Sequence, residues 1–167
     1  MKNQLNKQSF KAYKDVVRAA FDPSRPLLAQ VVITRRCNLS CGYCFEYDKV
    51  SKPVDTAILK KRIDELKRLK VVFVTLNGGE PLLHPDAVEL VKYVADSGMI
   101  PMMNSNGWLL KKETILELNE AGLFGIQISC DGLEDNDITK KSLTRLEPKL
   151  ALLKHYAKFK VRIKLKH

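Results

Sequence analysis

Along this chain, short apolar runs alternate with stretches whose apolar positions recur every three or four residues. Residues 26–34, PLLAQVVIT, are an unbroken apolar run rich in β-branched side chains, as expected of a parallel strand covered on both sides. Asp55 can then cap a helix whose apolar positions Ile58, Leu59, Ile63, Leu66 and Leu69 share one face. VVFVTL (71–76) predicts a second strand, and Pro85 and Asp86 open a helix with Val88, Val91, Val94 and Ala95 on one side and Gly98 suited to end it. A shorter strand is expected at 100–104, a helix over about 111–121 closed by Gly122, and a fourth strand, FGIQIS, at 124–129. Pro148 cannot donate an interior backbone hydrogen bond, so it is expected in the first turn of a helix running to about Tyr156. KVRIKLK then predicts a fifth strand. Phe10, Tyr13, Val17 and Phe21 fall at helical spacing and suggest an N-terminal helical extension over residues 1–25, packed on the outside of a core spanning 26–167.

Such alternation predicts an α/β fold of parallel strands joined by right-handed crossovers. An open doubly wound sheet and a closed or partly closed barrel both satisfy it, and in both the ligand sits at the carboxyl ends of the strands. Each unusual motif falls there: CNLSCGYC after the first strand, NGGEP after the second, NSNG after the third and SCDG after the fourth.

A length of 167 residues, 45% hydrophobic and 29% charged, suits a single domain whose size needs no disulfide staples. No apolar run approaches the roughly 18 residues that span a bilayer, so no transmembrane segment is expected. The start, MKNQLNKQSF, lacks the apolar stretch of a secretory signal, so the expected location is cytoplasmic and the thiols reduced. Three of the four cysteines nonetheless lie within eight residues, Cys37, Cys41 and Cys44. Three thiolates in one loop can hold zinc or an iron–sulfur cluster and leave one coordination position open. Structural zinc usually takes a second ligand pair, which is missing here, and His84 is the plausible fourth ligand by location. Cys130 should point away from Ser129 and Asp131 and serve as a small buried hydrophobe.

CNLSCGYC directly after a first strand, followed by NGGEPLLHPD after the second, resembles the paired signatures of the radical S-adenosylmethionine (SAM) superfamily. The likeness covers nearly the whole chain from about Leu27. It implies a partial (β/α) TIM-like barrel, here ending after about five parallel strands, and therefore a fragment holding the cluster and SAM half of the core. It also implies a 4Fe–4S cluster on Cys37, Cys41 and Cys44, with SAM on the fourth iron. Reductive cleavage of SAM then yields a 5′-deoxyadenosyl radical that abstracts hydrogen from a substrate the sequence does not identify. A low-potential donor such as flavodoxin or ferredoxin would supply the electron. By the same resemblance Tyr43 lies near the adenine, Glu80 receives the SAM amino group, Asn106 in its SNG turn is a cofactor contact, and Ser129 and Asp131 lie near the ribose. Gly78 and Gly79 lack Cβ, which lets backbone approach a ligand closely and adopt conformations closed to other residues.

Charge adds one further possibility. The net charge is +10, with six basic against two acidic side chains in residues 1–26 and ten against one in 138–167. Such clustering can mark nucleic-acid contact, but a solvated helix face is the favoured reading because no aromatic stacking pattern accompanies it. A non-catalytic iron–sulfur or zinc module and an RNA-binding domain therefore stand beside the enzyme reading. On the fifth strand, Val161, Ile163 and Leu165 alternate with Lys160, Arg162, Lys164 and Lys166. The basic face is either an exposed edge or part of the barrel lumen, where Arg162 or Lys164 could meet the SAM carboxylate; the lumen is favoured.

Overall fold

A computed structural model describes residues 10, 13–18, 21–22, 25–45, 47–134 and 140–165. Strands β1 (Leu28–Thr34), β2 (Phe73–Gly78), β3 (Ile100–Ser105), β4 (Gly125–Cys130) and β5 (Lys160–Leu165) form one sheet in the order β1-β2-β3-β4-β5. All four pairings are parallel. Helices α1 (Thr56–Arg68), α2 (Ala87–Asp96), α3 (Lys112–Glu120) and α4 (Leu143–Tyr156), with a 3-10 turn at Pro81–Leu83, fill the crossovers. A strand order that follows the chain without reversal is barrel winding, because a doubly wound sheet reverses at a switch point.

The two faces of the sheet divide the work. Val31 and Ile33 of β1, Val74 and Leu76 of β2, Met103 of β3 and Ile126 and Ile128 of β4 pack with Leu59, Ile63, Leu90, Val91, Ile115, Leu118 and Leu146 into one core beneath the helices. The other face carries a smaller apolar plug of Val72, Ile100 and Phe124, with Phe73 and Met102 against it. Above that plug the face turns polar: the register aligns Asn104 with Gln127 and Gln127 with Arg162. Asn104 donates to Asn77 at 2.7 Å and Asn77 donates to Gln30 at 2.9 Å. An apolar floor under a polar rung marks this face as the lumen of a partial barrel.

Local chemistry explains most boundaries. Asp55 caps α1 as expected, accepting from Ala57 N–H at 2.9 Å and Ile58 N–H at 3.2 Å. Of the α1 face read from the sequence, Leu59 and Ile63 are fully buried while Ile58 and Leu69 stay exposed. β2 starts at Phe73 instead of residue 71, because Lys70 takes a left-handed φ of 59° and Val71 N–H closes on Leu66 O. The expectation for Pro148 is corrected: it lies inside α4, whose true N-cap is Ser142, accepting from Arg145 N–H at 3.4 Å. That cap starts the helix five residues before Pro148, and the proline ring faces solvent.

Residues 13–18 are helical, but Phe10, Tyr13, Val17 and Phe21 are 39 to 85% exposed, and the side chain turned inward is Asp15. Asp15 pairs with Arg25 at 3.5 Å, and Arg25 Nε donates to Lys70 O at 2.7 Å, so polar contacts tie this segment down. The rest of the 1–25 extension falls outside the described residues.

Pro148→Ala should restore the missing N–H opposite Thr144 O at an exposed site. Net of the unfolded-chain entropy that proline removes, the gain is about 2 kcal/mol, or roughly 4–8 °C in thermal midpoint for a chain of this size. A midpoint unchanged in a calorimetric melt would show that the helix is shaped around the proline.

Candidate functional site

Above the polar rung, a cavity of about 120 Å³ is lined by Cys37, Leu39, Cys41, Cys44, Tyr47, Gly78, Gly79, Asn104, Ser105, Asn106, Ser129 and Lys141. The carboxyl ends of β1 to β4 therefore meet where strand-end logic places a ligand, and seven of the eleven residues singled out from the sequence line one space. Tyr43, Glu80 and Asp131 stand next to it in sequence without lining it, and Arg162 lies away on β5.

The cysteine loop is held from several sides. Cys37 N–H donates to Asp48 O at 3.3 Å and Asp48 N–H to Arg35 O at 2.9 Å, closing the loop at its base. The Lys49 ammonium caps the carbonyls of Cys37 and Leu39 at 2.9 and 3.2 Å. Cys44 N–H turns back to Cys41 O at 3.0 Å. All four cysteines are free thiols. Burial raises the Cys37 thiol pKa, partly offset by the Leu39 N–H on its sulfur, with Glu80 adding to the rise and Lys49 opposing it.

NGGEP fastens that loop to the sheet. Gly79 N–H donates to Thr34 O at 3.0 Å and Glu80 N–H to Arg36 O at 2.8 Å. A Cβ on Gly78 would lie 2.3 Å from Thr34 O, and one on Gly79 2.5 Å from both Arg35 O and Arg36 O. The expectation that these glycines supply unusual dihedrals is corrected, since positive φ occurs at Gly98, Gly107 and Gly122 and not here. Their small size instead lets the end of β2 press against the entry to the cysteine loop, and both also face the cavity.

Glu80 is fully buried. Its Oε1 accepts from Leu82 N–H at 3.1 Å and Ser105 Oγ–H at 2.9 Å, and Oε2 accepts from Asn106 N–H at 2.7 Å. Desolvation pushes its pKa up, against the pull of those hydrogen bonds. The carboxylate is a fastener between β2 and β3 and does not open into the cavity.

A second cluster joins the cysteine loop to the exit of β4. The Tyr43 hydroxyl donates to Asp131 Oδ2, and Lys141 Nζ pairs with the same oxygen at 3.1 Å while sitting 5.1 Å from the Tyr43 ring centre. Burial and the hydrogen bond to Asp131 push the Tyr43 phenol up to about 12. Burial works against the Lys141 ammonium, but hydrogen bonds to Tyr43 and Asp131 outweigh it and its pKa is raised. Lys141 is the one cationic side chain among the described residues lining the cavity. Sequence reasoning missed it, along with Leu39, Tyr47 and Asn104 as individual residues, whereas Ser105 lies in the SNG turn it singled out. The signal for Lys141 was the Ser142 cap that follows it, while alternation along β3 pointed to Asn104.

On β5, every described residue is exposed. The register sets Arg162 beside Gln127 and Lys164 beside Ser129, on the lumen face, yet neither reaches the cavity. The zinc alternative loses its fourth ligand. His84 Nε2 lies 2.8 Å from Val54 O and its Nδ1 accepts from Asp86 N–H at 3.1 Å, while Cys130 is buried in the helix-side core as expected. No group of three or more His, Cys, Asp or Glu among the described residues is gathered to hold a single metal ion. A cubane makes no such demand, because each thiolate takes a different iron.

A family model for the radical SAM superfamily matches residues 31–164. The chain belongs to the radical SAM superfamily. It is 40% identical over 113 residues to the PqqA peptide cyclase of Bradyrhizobium diazoefficiens, covering 66% of this chain and 30% of that protein. It is 33% identical over 109 residues to the mycofactocin maturase MftC of Mycobacterium tuberculosis, covering 64% and 28%. The crystal structure of Streptococcus suis SuiB bound to S-adenosylmethionine shares the fold, with a TM-score of 0.69, 24% identity and 90% of this chain covered against 37% of that chain. The chain thus spans under a third of the length of these two curated relatives. Radical SAM enzymes use a 4Fe–4S cluster and SAM and require a reductant, so the non-catalytic and RNA-binding alternatives lose their support. No helix among the described residues is long and apolar enough to cross a membrane.

With its folded pKa above the ordinary 10.0, the Tyr43 phenol contributes its full stabilisation below about pH 10 and loses it as pH rises towards 12. In an absorbance titration near 295 nm a step near pH 12 should appear, distinct from Tyr93, whose hydrogen bond to Asp64 also raises its phenol, and Tyr43→Phe should remove the step near pH 12. A titration with no step near pH 12, or one that Tyr43→Phe leaves unchanged, would refute the Tyr43–Asp131 contact.

Proposed function

We propose that this chain holds a 4Fe–4S cluster on Cys37, Cys41 and Cys44 and binds SAM beside it. The observation that carries the reading is the convergence of three free thiols on one cavity while Cys130 and both His84 ring nitrogens are engaged elsewhere. The donor set is all sulfur and one short of four, which fits a cluster with one iron open to an exogenous ligand. When bound, the reduced cluster supplies the electron that cleaves SAM to a radical able to abstract hydrogen from a substrate.

The chain's own groups position the reactants. Lys141 offers its ammonium to an anionic group of the ligand, and Asp131 keeps that ammonium charged. Ser129 offers a hydroxyl and Asn104 an amide to the polar parts of SAM, while Ser105 lines the wall with its hydroxyl given to Glu80. Gly78 and Gly79 present bare backbone on the side facing the cysteines. Tyr43, through its hold on Asp131, ties the cysteine loop to the wall that carries Ser129 and Lys141. Glu80 acts on the SAM amino group only through the loop it fixes, since its carboxylate is spent on three protein donors. Arg162 enters the site only if an anionic substrate extends down the lumen towards β5. The electron comes from a low-potential donor of the flavodoxin or ferredoxin kind.

Anaerobic reconstitution should load about four iron per chain. SAM should alter the paramagnetic resonance of the reduced cluster, and Cys41→Ala should abolish both iron uptake and that response. Retention of either by the variant would contradict the ligand assignment. Lys141→Met should load iron normally yet bind SAM at least tenfold more weakly by equilibrium dialysis, and unchanged affinity would remove Lys141 from the binding role.

A further inference from the structure

Asn106 is 6% exposed, and its backbone N–H and both polar atoms of its side chain are hydrogen-bonded. Its backbone N–H is pinned to Glu80 Oε2 at 2.7 Å, and its Oδ1 accepts from Trp108 N–H at 3.0 Å in a turn closed on its own backbone. The side chain is therefore locked from both ends, and its Nδ2 has a fixed aim. That nitrogen donates to Asn38 Oδ1 at 2.8 Å and points to Cys37 Sγ at 3.7 Å, a normal separation for an N–H···S contact. Leu39 N–H approaches the same sulfur at 3.4 Å. Two amide N–H groups thus converge on the sulfur of the first cysteine of the loop.

We infer that Asn106 is a positioning residue that hydrogen-bonds the Cys37 ligand sulfur and thereby sets the reduction potential of the cluster. This rests on the cluster assignment proposed above and assigns Asn106 to the cluster's ligand shell in place of direct contact with SAM. Electron uptake places negative charge on the cluster and its ligand sulfurs. An N–H dipole aimed at one of those sulfurs stabilises the reduced form more than the oxidised form and raises the potential. The buried Glu80 carboxylate, which repels charge on Cys37, is the opposing influence, and its hydrogen bond to Asn106 N–H places donor and counter-charge in one rigid unit. Neither Gly107 nor Ser105 offers a side-chain donor in that direction: Ser105 Oγ–H is given to Glu80.

The test uses the reconstituted chain in two ways. With asparagine labelled by ¹⁵N at the side-chain amide, pulsed paramagnetic resonance of the reduced native cluster should show coupling to ¹⁵N, and Asn106→Ala should abolish it while Asn38→Ala should keep it. A redox titration of Asn106→Ala should show one-electron reduction about tenfold less favourable, equivalent to a potential about 59 mV more negative. A residue with only a structural role would change iron loading without moving the potential of the clusters that form. Should Asn106→Ala fail to load, the labelled native protein decides alone: no ¹⁵N coupling overturns the inference. Absence of any cluster in the native chain would instead overturn the functional proposal on which it rests.

Discussion

One buried carboxylate organises the site. Glu80 has no contact with solvent, and its two oxygens collect a backbone N–H from the turn after β2, a hydroxyl from the end of β3 and a backbone N–H from the loop beyond β3. A charge removed from water is costly, and it persists only where donors replace the lost hydration. The cost of burying Glu80 is thus recovered only when both strand ends sit in one arrangement. Losing any one donor leaves a buried acceptor short, so the two loops are fixed together or not at all.

From that point rigidity spreads to the thiols. Glu80 N–H reaches Arg36 O and Gly79 N–H reaches Thr34 O, which continues the β1–β2 pairing into the start of the cysteine loop. The absence of side chains at Gly78 and Gly79 permits that closeness, since a Cβ at either would overlap a carbonyl oxygen. On the far side, Asn106 leads from the same carboxylate to Cys37. The loop is therefore gripped at its first cysteine from β2 and β3 and at Tyr43 from β4, while Cys44 and the exposed Phe45 beside it lie beyond these contacts. A site that must accept a bulky cofactor benefits from a fixed base and a freer outer rim.

What the sequence disclosed follows from how local each signal is. The strand and helix order, the cap at Asp55 and the cysteine spacing depend on neighbours within a few residues, and all appear in the fold. Pro148 was misplaced because a proline rule was applied without weighing Ser142, a better start signal six residues earlier. The Phe10–Phe21 stripe has helical spacing, yet periodicity cannot tell which face meets the core, and Asp15 pairing with Arg25 took that place. The motif marked Glu80 as important but not why, because its three donors come from a neighbouring turn and from a strand some 25 residues on. Lys141 and Asn104 were invisible for a similar reason: they matter through what four separate strand ends place around one cavity. The basic face of β5 did fall on the lumen side by register, but edge exposure keeps Arg162 from the site.

The central claim is that the Glu80 carboxylate holds the cysteine platform in place before any cofactor arrives. Hydrogen–deuterium exchange of the metal-free chain at neutral pH, resolved at the amides of Leu82 and Asn106, addresses it most directly. The account predicts that both amides exchange only through global unfolding, as slowly as Leu76 and Met103 in the neighbouring strands, although they sit in loops. Exchange at the rate of an open loop, with protection gained only after cluster loading, would show that the cofactor builds the platform and the carboxylate does not.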